Sequence, residues 1–492
     1  MDVSDTVRDA LDLGLVALVV LAAVMSSRVT AWLKVPTPAL VLVASAVAAE
    51  LLSGLHEPLE RTVERVVSVA LVFILFDGGM NIGWRRFRSA IVPITVVGLV
   101  GTFLTAGGAA LVLHLAFGLP WYLCLLVATA IAPTDPAVVF SVLGGKEIAG
   151  RSGTILEGES GANDPVGIAL MLGLLGAGAL TGSAAGSIAT GFLTQMVVGA
   201  AVGIVTGRGL LAFMRVSLPS EALYPLRTMA CVVLIYGIAT VAHGSGFLAV
   251  LVAGILIGDA RAPYKLEIQR FHGALASLGE IVAFVVLGLT VHLSTVLRSD
   301  VWVPGLVVAV LVGFVIRPIV VGGCLAPVRL RRSEKTFIVF AGLKGAVPIL
   351  LGEMVRAAHV PGAERLYGIV VVVVVFSVVI QGGATPLVAR WLHVPMRTVD
   401  PEPWTFGVRL RDEPDNVRRF TVAPGSAADG RRIDELEQLP DGAWISFLVR
   451  EGVPVAASSD AVLQAGDDIM VMVDRGHDAQ LTGVFATGEQ PR

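Results

Sequence analysis

Two stretches of the sequence decide the fold, ATAIAPTDP at residues 128–136 and GESGANDP at residues 158–165. The first lies inside a long apolar run and contains two prolines, Pro133 and Pro136, with Asp135 between them. Each proline lacks an amide donor and leaves carbonyl groups upstream without a partner, which predicts a helix broken at mid-length. In a membrane, unpaired backbone is tolerated only where it is buried in protein or lines a watery cavity.

The second stretch predicts a polar helix face. Ser160 and Asp164 stand four residues apart on one face, with Glu157 one turn earlier, while Asn163 points about 100° away from Asp164. Oxygen ligands on one face beside a broken helix suit a hard monovalent cation, Na⁺ or K⁺. An ordinary helix N-terminus, where the dipole favours acids, would explain Glu157 and Glu159. It does not explain Asp164, a turn or more deeper.

The composition predicts a membrane protein. Of the 492 residues, 55% are apolar and only 15% are charged, and the mean hydropathy is +0.80, whereas soluble chains are about one quarter charged. Runs long enough to cross the hydrocarbon core, about 20 residues, occur thirteen times. They lie near 12–32, 35–53, 64–82, 89–118, 120–143, 157–180, 187–214, 224–243, 245–260, 273–293, 301–323, 336–355 and 366–391.

The charges of the loops support an odd number of spans. With thirteen spans and a cytoplasmic C-terminus, the inner loops hold 17 Lys and Arg and the outer loops hold 5, in agreement with the positive-inside rule. The three cysteines, Cys124, Cys231 and Cys324, all fall in apolar stretches, so we expect neither a disulfide framework nor a metal cluster. We expect no cofactor.

The end of the chain has a different pattern. From Arg397 onward there are 10 basic and 17 acidic residues, a net charge of −7, against +4 before it. We predict a transmembrane domain over 1–393, a linker over 394–406 and a soluble α+β domain over 407–486. The acidic balance argues against binding of nucleic acid. Predicted strands are 419–422, 444–449 and 468–473, with a turn at 451–452 and short helices at 432–439 and 478–485.

Further ionisable residues lie within spans, where charge is costly and therefore a sign of function, among them Asp77, Arg317 and Lys344. Asp77 is either a further ligand or a carboxylate at a helix end near the interface. Arg317 lies in the eleventh span, and Lys344 lies in AGLKGAVP at residues 341–348, whose glycines and proline predict a second broken helix. Two buried cations need acidic partners. The candidates are Glu157, Glu159, Glu280 and Asp135.

The two predicted breaks form a regular arrangement. The broken fifth span is fourth in the series from two to six, and the broken twelfth span is fourth in the series from nine to thirteen. Corresponding spans of the two series are offset by seven, an odd number, so the two series run in opposite orientations. This is typical of inverted repeats in secondary transporters, with the binding site where the broken helices cross. The sequence contains no phosphate loop, nucleophile elbow or zinc spacing, so we do not expect an enzyme.

The motifs Thr134–Asp135–Pro136, GESGANDP and AGLKGAVP together resemble the cation:proton antiporter family, CPA1 branch, and within it the bacterial potassium/proton antiporters of the NhaP type. The resemblance covers residues 1–396. The tail, residues 407–486, is similar to a TrkA-C (RCK C-terminal) domain. The family implies an all-α polytopic fold with crossed broken helices, a homodimer and a mobile six-helix core.

The resemblance also implies roles for individual residues. Asp164 is the carboxylate that binds the ion and carries the proton. Asp135, Ser160 and the backbone of Thr134 complete a site for a monovalent cation, with Asp77 as a further candidate.

In the same family, an acid at the position of Glu159 pairs with a cation on the twelfth span and so holds Asn163. The family has arginine where this chain has Lys344, and lysine offers a point charge rather than a fork. The partner of Glu159 therefore stays open between Lys344 and Arg317.

The expected function is exchange of K⁺ for H⁺ across the cell membrane, electroneutral as in family members with an Asn-Asp pair. Na⁺/H⁺ exchange is the alternative. A cation channel regulated by its tail would need a filter of carbonyls or charged rings, and a receptor would not need buried carboxylates. We expect lipid around the spans, a cytoplasmic tail and possible binding of a small cytosolic ligand to it.

Overall fold

The computed structural model describes residues 36–51, 60–143, 146–148, 150–180, 184–398, 417–436, 438–440, 442–450, 453–473 and 477–485. The chain forms two compact units, Met1–Pro403 and Trp404–Arg492. The described part of the first is helical apart from one pair of short strands, and the second combines a small sheet with helix. The predicted fold class, a polytopic helical protein with a small α+β tail, is confirmed.

The first half of the membrane unit contains eight α-helices in its described part. They are α1 (Thr37–Leu51), α2 (Glu60–Thr95), α3 (Thr102–Phe117), α4 (Trp121–Ile131), α5 (Pro136–Val142), α6 (Gly150–Ala177), α7 (Ala184–Phe213) and α8 (Leu223–Val241), with a π-helical turn at Val96–Gly101 joining α2 to α3.

The second half continues with α9 (Gly246–Gly258), α10 (Lys265–Leu289), the short α11 (Leu293–Val296), α12 (Ser299–Leu311), α13 (Arg317–Leu325), α14 (Arg332–Phe340), α15 (Ala346–Ala357), α16 (Ala363–Phe376) and α17 (Gly383–Trp391). Two π-helical turns, Val312–Ile316 and Ser377–Gly382, join α12 to α13 and α16 to α17.

These helices coincide with predicted spans two to thirteen, while the first predicted span, 12–32, lies outside the described residues. Among the described residues, six helical runs are long and apolar enough to cross a membrane, and the pair α4 and α5, bent by 43°, would add a seventh. The total of thirteen spans stays a prediction.

The outer faces of the helices are apolar. Phe76, Phe284 and Phe337 fill the interior and are at most 1% exposed. Large apolar side chains also point outward, including Leu115, Val241, Leu387 and Trp391, each more than 70% exposed. Large apolar side chains exposed on several helices are expected of a protein that faces lipid.

The third and fourth predicted spans belong to one helical run, from Glu60 to Phe117. Gly83 interrupts it with φ 67° and ψ 161°, a left-handed backbone that glycine adopts readily. The helix restarts where the amide of Arg85 donates to the Asp259 carboxylate at 2.6 Å. The predicted boundary between the two spans therefore corresponds to a break at a glycine rather than to a loop.

Helix α6 begins earlier than the sequence indicated. The predicted sixth span opens at Glu157, but α6 starts at Gly150, so that Glu157 and Glu159 lie inside the helix. The alternative explanation of these two acids, an ordinary helix N-terminus, therefore does not apply. The extra turns are polar, and their side chains find partners: Ser152 donates to Glu334 at 3.1 Å, and Thr154 accepts from Arg86 at 3.1 Å.

Part of the predicted linker, 394–406, is a strand. Strand β1 (Lys146–Ile148) pairs antiparallel with β2 (Met396–Thr398), with Glu147 opposite Arg397. Residues 399–406 lie outside the described part of the chain. Strand β1 stands between α5 and α6, so the segment that follows the last helix is bonded to the connection between these two helices.

In its described part, the second unit is a four-stranded antiparallel sheet with one α-helix. The strands are β3 (Val417–Thr421), β4 (Trp444–Arg450), β5 (Val453–Val455) and β6 (Asp468–Met472), in the order β3-β6-β4-β5, and the helix is α18 (Asp478–Phe485). The core contains Val422, Leu448, Leu463, Ile469, Val471, Leu481 and Phe485.

The predicted strands and the helix at 478–485 are present, and the predicted turn at 451–452 lies outside the described residues, between the paired strands β4 and β5. The predicted helix at 432–439 is wrong, because the described residues of this segment form a 3₁₀ turn, Ile433–Glu435, and no α-helix. The amides of Ile433 and Asp434 donate to the carbonyls of Ala461 and Ser459, which holds the segment against a neighbouring loop.

Candidate functional site

The first broken helix is interrupted between α4 and α5, as the two prolines predict. Asp135 has extended backbone angles, φ −126° and ψ 112°, and caps α5 by accepting a hydrogen bond from the amide of Ala137 at 2.9 Å. Pro136 follows as the first residue of α5, where a missing amide hydrogen costs nothing. The carboxylate of Asp135 is thus fixed at the helix start.

The second break, between α14 and α15, lies directly against the first. The amide of Asp135 donates to the carbonyl of Leu343 at 2.8 Å, which joins the two interrupted segments through their backbones. The Asp135 carboxylate also occupies the space that a Cβ at position 345 would need, so Gly345 permits the close approach. The predicted meeting of two broken segments at Asp135 is therefore observed.

The polar face of α6 holds the first break through Thr134. Ser160 donates from its hydroxyl to the Thr134 carbonyl at 2.5 Å. Asn163 accepts from the Thr134 amide at 3.3 Å and donates to its hydroxyl at 2.8 Å. The three side chains are each at most 5% exposed, so this network is fixed and away from water.

Asp164 differs from its polar neighbours. Asp164 is 8% exposed. Within the described part of the chain, its carboxylate accepts no hydrogen bond. The charges that act on it are those of Asp135 and Lys344. A buried carboxylate without a hydrogen-bond donor is free to take a cation or a proton as its partner.

Lys344 closes the first break rather than pairing with Glu159. Its ammonium group donates to the carbonyls of Ala132 and Pro133 at 3.0 and 3.1 Å, the groups at the C-terminal end of α4. A cation at this end also complements the helix dipole. The amide of Lys344 donates to the hydroxyl of Ser377 at 3.0 Å.

The partner of Glu159 is Arg317. Its guanidinium nitrogen lies 2.7 Å from a Glu159 oxygen, and the two side chains are 4% and 2% exposed. The same guanidinium donates to the carbonyls of Val339 and Ile338 at 2.8 and 3.2 Å. The sequence leaves this partner open between Lys344 and Arg317, and the structure shows Arg317, one span before the cation of the family pattern. Its planar fork reaches both the carboxylate and the carbonyls.

Glu157 and Asp77 have other neighbours. Glu157 is 3.3 Å from Arg86, in a partly exposed pair. Asp77 accepts from Asn81 at 2.9 Å, and its carboxylate faces Gly273 of α10. The central cluster therefore contains Asp164, Asp135, Thr134, Ser160, Asn163 and Lys344, with the Arg317–Glu159 pair beside it.

Two residues that position the second break were missed by sequence reasoning. Ser377 accepts from the amide of Lys344, and Gln381 donates to the carbonyl of Phe340 at 3.0 Å, both from the π-helical turn Ser377–Gly382. Both are polar residues in an otherwise apolar span, which is the signal that could have found them. Among the described residues, no group of three or more His, Cys, Asp and Glu could hold a resident metal ion.

We predict that Arg317→Ala lowers the stability of the protein more than any change at an exposed ion pair. It leaves Glu159 buried and charged without a partner, which costs about 3–5 kcal/mol. Arg317→Lys should restore part of the loss, because lysine keeps the charge but not the fork. Thermal melting of the purified protein in detergent measures the difference.

The matched control is Arg298→Ala, which removes the exposed pair with Asp300, 61% and 40% exposed, and should cost at most about 1 kcal/mol. Adding Glu159→Gln to Arg317→Ala should recover stability, since no buried charge then lacks a partner. Equal melting temperatures for Arg317→Ala and Arg298→Ala would contradict the importance of the buried pair.

Comparison with known proteins places this geometry in a family. Residues 16–391 match the sodium/hydrogen exchanger transmembrane family, and residues 417–484 match the TrkA-C domain. The K⁺/H⁺ antiporter NhaP of Alkalimonas amylolytica is 34% identical over 430 residues, which cover 86% of this chain and 74% of the relative. The K⁺/H⁺ antiporter NhaP2 of Shewanella oneidensis is 30% identical over 428 residues, with the same two coverages.

The fold is also similar to a solved structure. The sodium proton antiporter MjNhaP1 from Methanocaldococcus jannaschii, at pH 8, has a TM-score of 0.65 over 76% of this chain and 99% of that chain, at 21% identity. The resemblance indicated by the motifs is confirmed. By the match over residues 16–391 and the identity to curated relatives, this chain belongs to the sodium/hydrogen exchanger family, with a TrkA-C domain at residues 417–484.

Proposed function

We propose that this protein is a secondary antiporter that exchanges K⁺, or another monovalent cation, for H⁺ across the cell membrane. The observation that carries the proposal is Asp164, a buried carboxylate without a hydrogen-bond donor among the described residues, beside two interrupted helices. The names of the relatives in Alkalimonas and Shewanella, both K⁺/H⁺ antiporters, favour K⁺. Membership of an exchanger family disfavours the channel alternative.

The proposed mechanism is competition at one carboxyl group. Asp164 holds either a proton or a cation, because either neutralises the buried charge and the presence of one weakens binding of the other. Asp135 and Ser160 supply further oxygen atoms close to Thr134, which suits a cation that has lost part of its water. The gradient of one ion drives the other, so no ATP or cofactor is required.

The other buried charges near Asp164 already have partners, so we propose that Asp164 alone changes charge during exchange. Arg317 neutralises Glu159, and Lys344 is engaged with the carbonyls of Ala132 and Pro133. The charge that changes during transport is therefore that of Asp164. We propose exchange of one cation for one proton, which is electroneutral, in a homodimer whose tail lies in the cytoplasm.

Na⁺ is the second candidate for the transported cation. The solved structure with a similar fold is titled a sodium proton antiporter, and a Na⁺/H⁺ antiporter NhaH from Halobacillus aidingensis is 27% identical over 333 residues. Carboxylate and hydroxyl oxygens bind both ions. A screen of K⁺, Na⁺, Li⁺ and Rb⁺ in everted vesicles, with a pH-sensitive dye, decides between them.

Asp164→Asn should abolish exchange, because a neutral amide neither carries a proton nor balances a cation. The measurement is dequenching of a pH-sensitive dye in vesicles after K⁺ or Na⁺ is added. Asp300→Asn, at an exposed carboxylate, is the control and should exchange normally. Near-normal exchange by well-folded Asp164→Asn would refute the assignment of the site.

Removal of the tail after residue 400 should leave exchange in place and change its regulation. The variant shortened after residue 400 keeps β2 (Met396–Thr398) paired with β1. It also contains every residue of the proposed ion site. The dependence of the rate on internal pH or on a cytosolic nucleotide should change, measured in vesicles that hold full-length or shortened protein.

A chain that ends after residue 394 is the comparison for this experiment. It also removes β2, so β1 loses its partner next to α5 and α6, and we expect a lower melting temperature or a slower rate. If the chain that ends after residue 400 folds well but does not exchange, the tail is part of the transport machinery and the proposed separation into domains is refuted.

A further inference from the structure

One buried carboxylate in the membrane unit has no role in the proposed mechanism. Glu280 lies on α10 and is half-buried as a whole, but its oxygen Oε1 is fully buried and has no hydrogen-bond partner among the described residues. Other buried glutamates have cations: Glu159 pairs with Arg317 at 2.7 Å and Glu353 with Arg356 at 2.6 Å. A carboxylate at this depth without a partner is costly unless it serves a function.

The helix that carries Glu280, α10, packs against one of the two broken helices. On one side, α10 packs tightly on α2, since the neighbouring Gly279 faces Ala70, with only 3.3 Å left for a Cβ. On another side, α10 contacts α15, the helix that begins directly after Gly345. Gly345 in turn touches the Asp135 carboxylate. The helix that carries Glu280 thus adjoins the meeting point of the two breaks.

The charge that acts on Glu280 is that of Asp135, another acid. Arg317 is neutralised by Glu159, and the ammonium of Lys344 is bonded to the carbonyls of Ala132 and Pro133. Two carboxyl groups whose charges repel each other, with no ion pair to a fixed cation among the described residues, favour binding of a mobile cation. In this protein the mobile cation available is the transported one.

We propose that Glu280 is a further cation-contacting residue: together with Asp135, it attracts the incoming monovalent cation to the pathway that leads to Asp164. The inference rests on the proposed function and extends it to α10, an unbroken helix that contributes no other residue to the ion site. Glu280 then sets the apparent affinity for the cation, whereas Asp164 performs the exchange itself.

The test separates charge from shape. Glu280→Gln keeps the size of the side chain and removes its charge, and Glu280→Asp keeps the charge and shortens the side chain. We expect the KM for the cation to rise about tenfold in the Gln variant and about threefold in the Asp variant, with the maximal rate changed less than about twofold. Rates are measured in vesicles across cation concentrations and across pH.

Glu267→Gln, on the first turn of the same helix, is the matched control and should keep the wild-type KM. The proposal would be overturned if Glu280→Gln kept the wild-type KM and pH profile while Glu280→Asp exchanged more slowly. That result would show that Glu280 is a neutral packing residue. If the Gln variant does not insert, the Asp variant decides: a raised KM supports the proposal, and an unchanged KM overturns it.

Failure of the proposed function gives a different result. Wild-type vesicles that show no proton movement on addition of any monovalent cation would refute antiport itself. Exchange by the wild type together with unchanged KM in the Glu280 variants would refute the role of Glu280 alone.

Discussion

The structure of the membrane unit depends on one constraint: backbone polar groups in a nonpolar surrounding need partners. Pro133 and Pro136 interrupt a helix and free carbonyl groups, and the fold supplies Lys344 to bind two of them at 3.0 and 3.1 Å. The amide of Asp135 is bonded to Leu343 across the second break. Each broken helix therefore satisfies the other, and the polar side chains meet where the breaks meet.

The same constraint explains why lysine and arginine occupy different positions. Lys344 has a compact ammonium group, which fits between two carbonyls at the end of α4. Arg317 has a planar fork, which binds Glu159 and two carbonyls of α14 at once. Because both cations are engaged, neither is a free counter-ion for Asp164. Because Asp164 has no fixed counter-ion among the described residues, its carboxylate is suited to exchange a proton for a mobile cation.

The sequence predicts the two helix breaks and the polar face of α6. The features that it does not predict depend on contacts between residues far apart in the chain. The breaks follow from local proline and glycine chemistry, and the grouping of Ser160 with Asp164 on one helix face follows from helical spacing. The partner of Glu159 does not follow from the sequence, because Arg317 and Lys344 are both buried cations. Only the three-dimensional structure shows which of the two side chains reaches Glu159. The strand at Met396–Thr398 was missed since it is short and its partner lies far away in the chain.

The early start of α6 was missed for a related reason. Ser152 and Thr154 are typical of a loop, but their hydroxyls bond to Glu334 and Arg86 from other helices. Burial with satisfied hydrogen bonds permits polar residues in a helix interior, and local composition does not reveal such partners.

Asn163 holds the first helix break without adding a second titratable group beside Asp164. Its amide both accepts from the Thr134 amide and donates to the Thr134 hydroxyl, whereas an ionised carboxylate offers acceptors only. An aspartate at this position would need to stay protonated to make the same two bonds. The neutral amide thus holds the first break without adding a second titratable group next to Asp164. With one exchangeable carboxyl on this face of α6, binding of one cation displaces one proton, and this agrees with the electroneutral exchange that we propose.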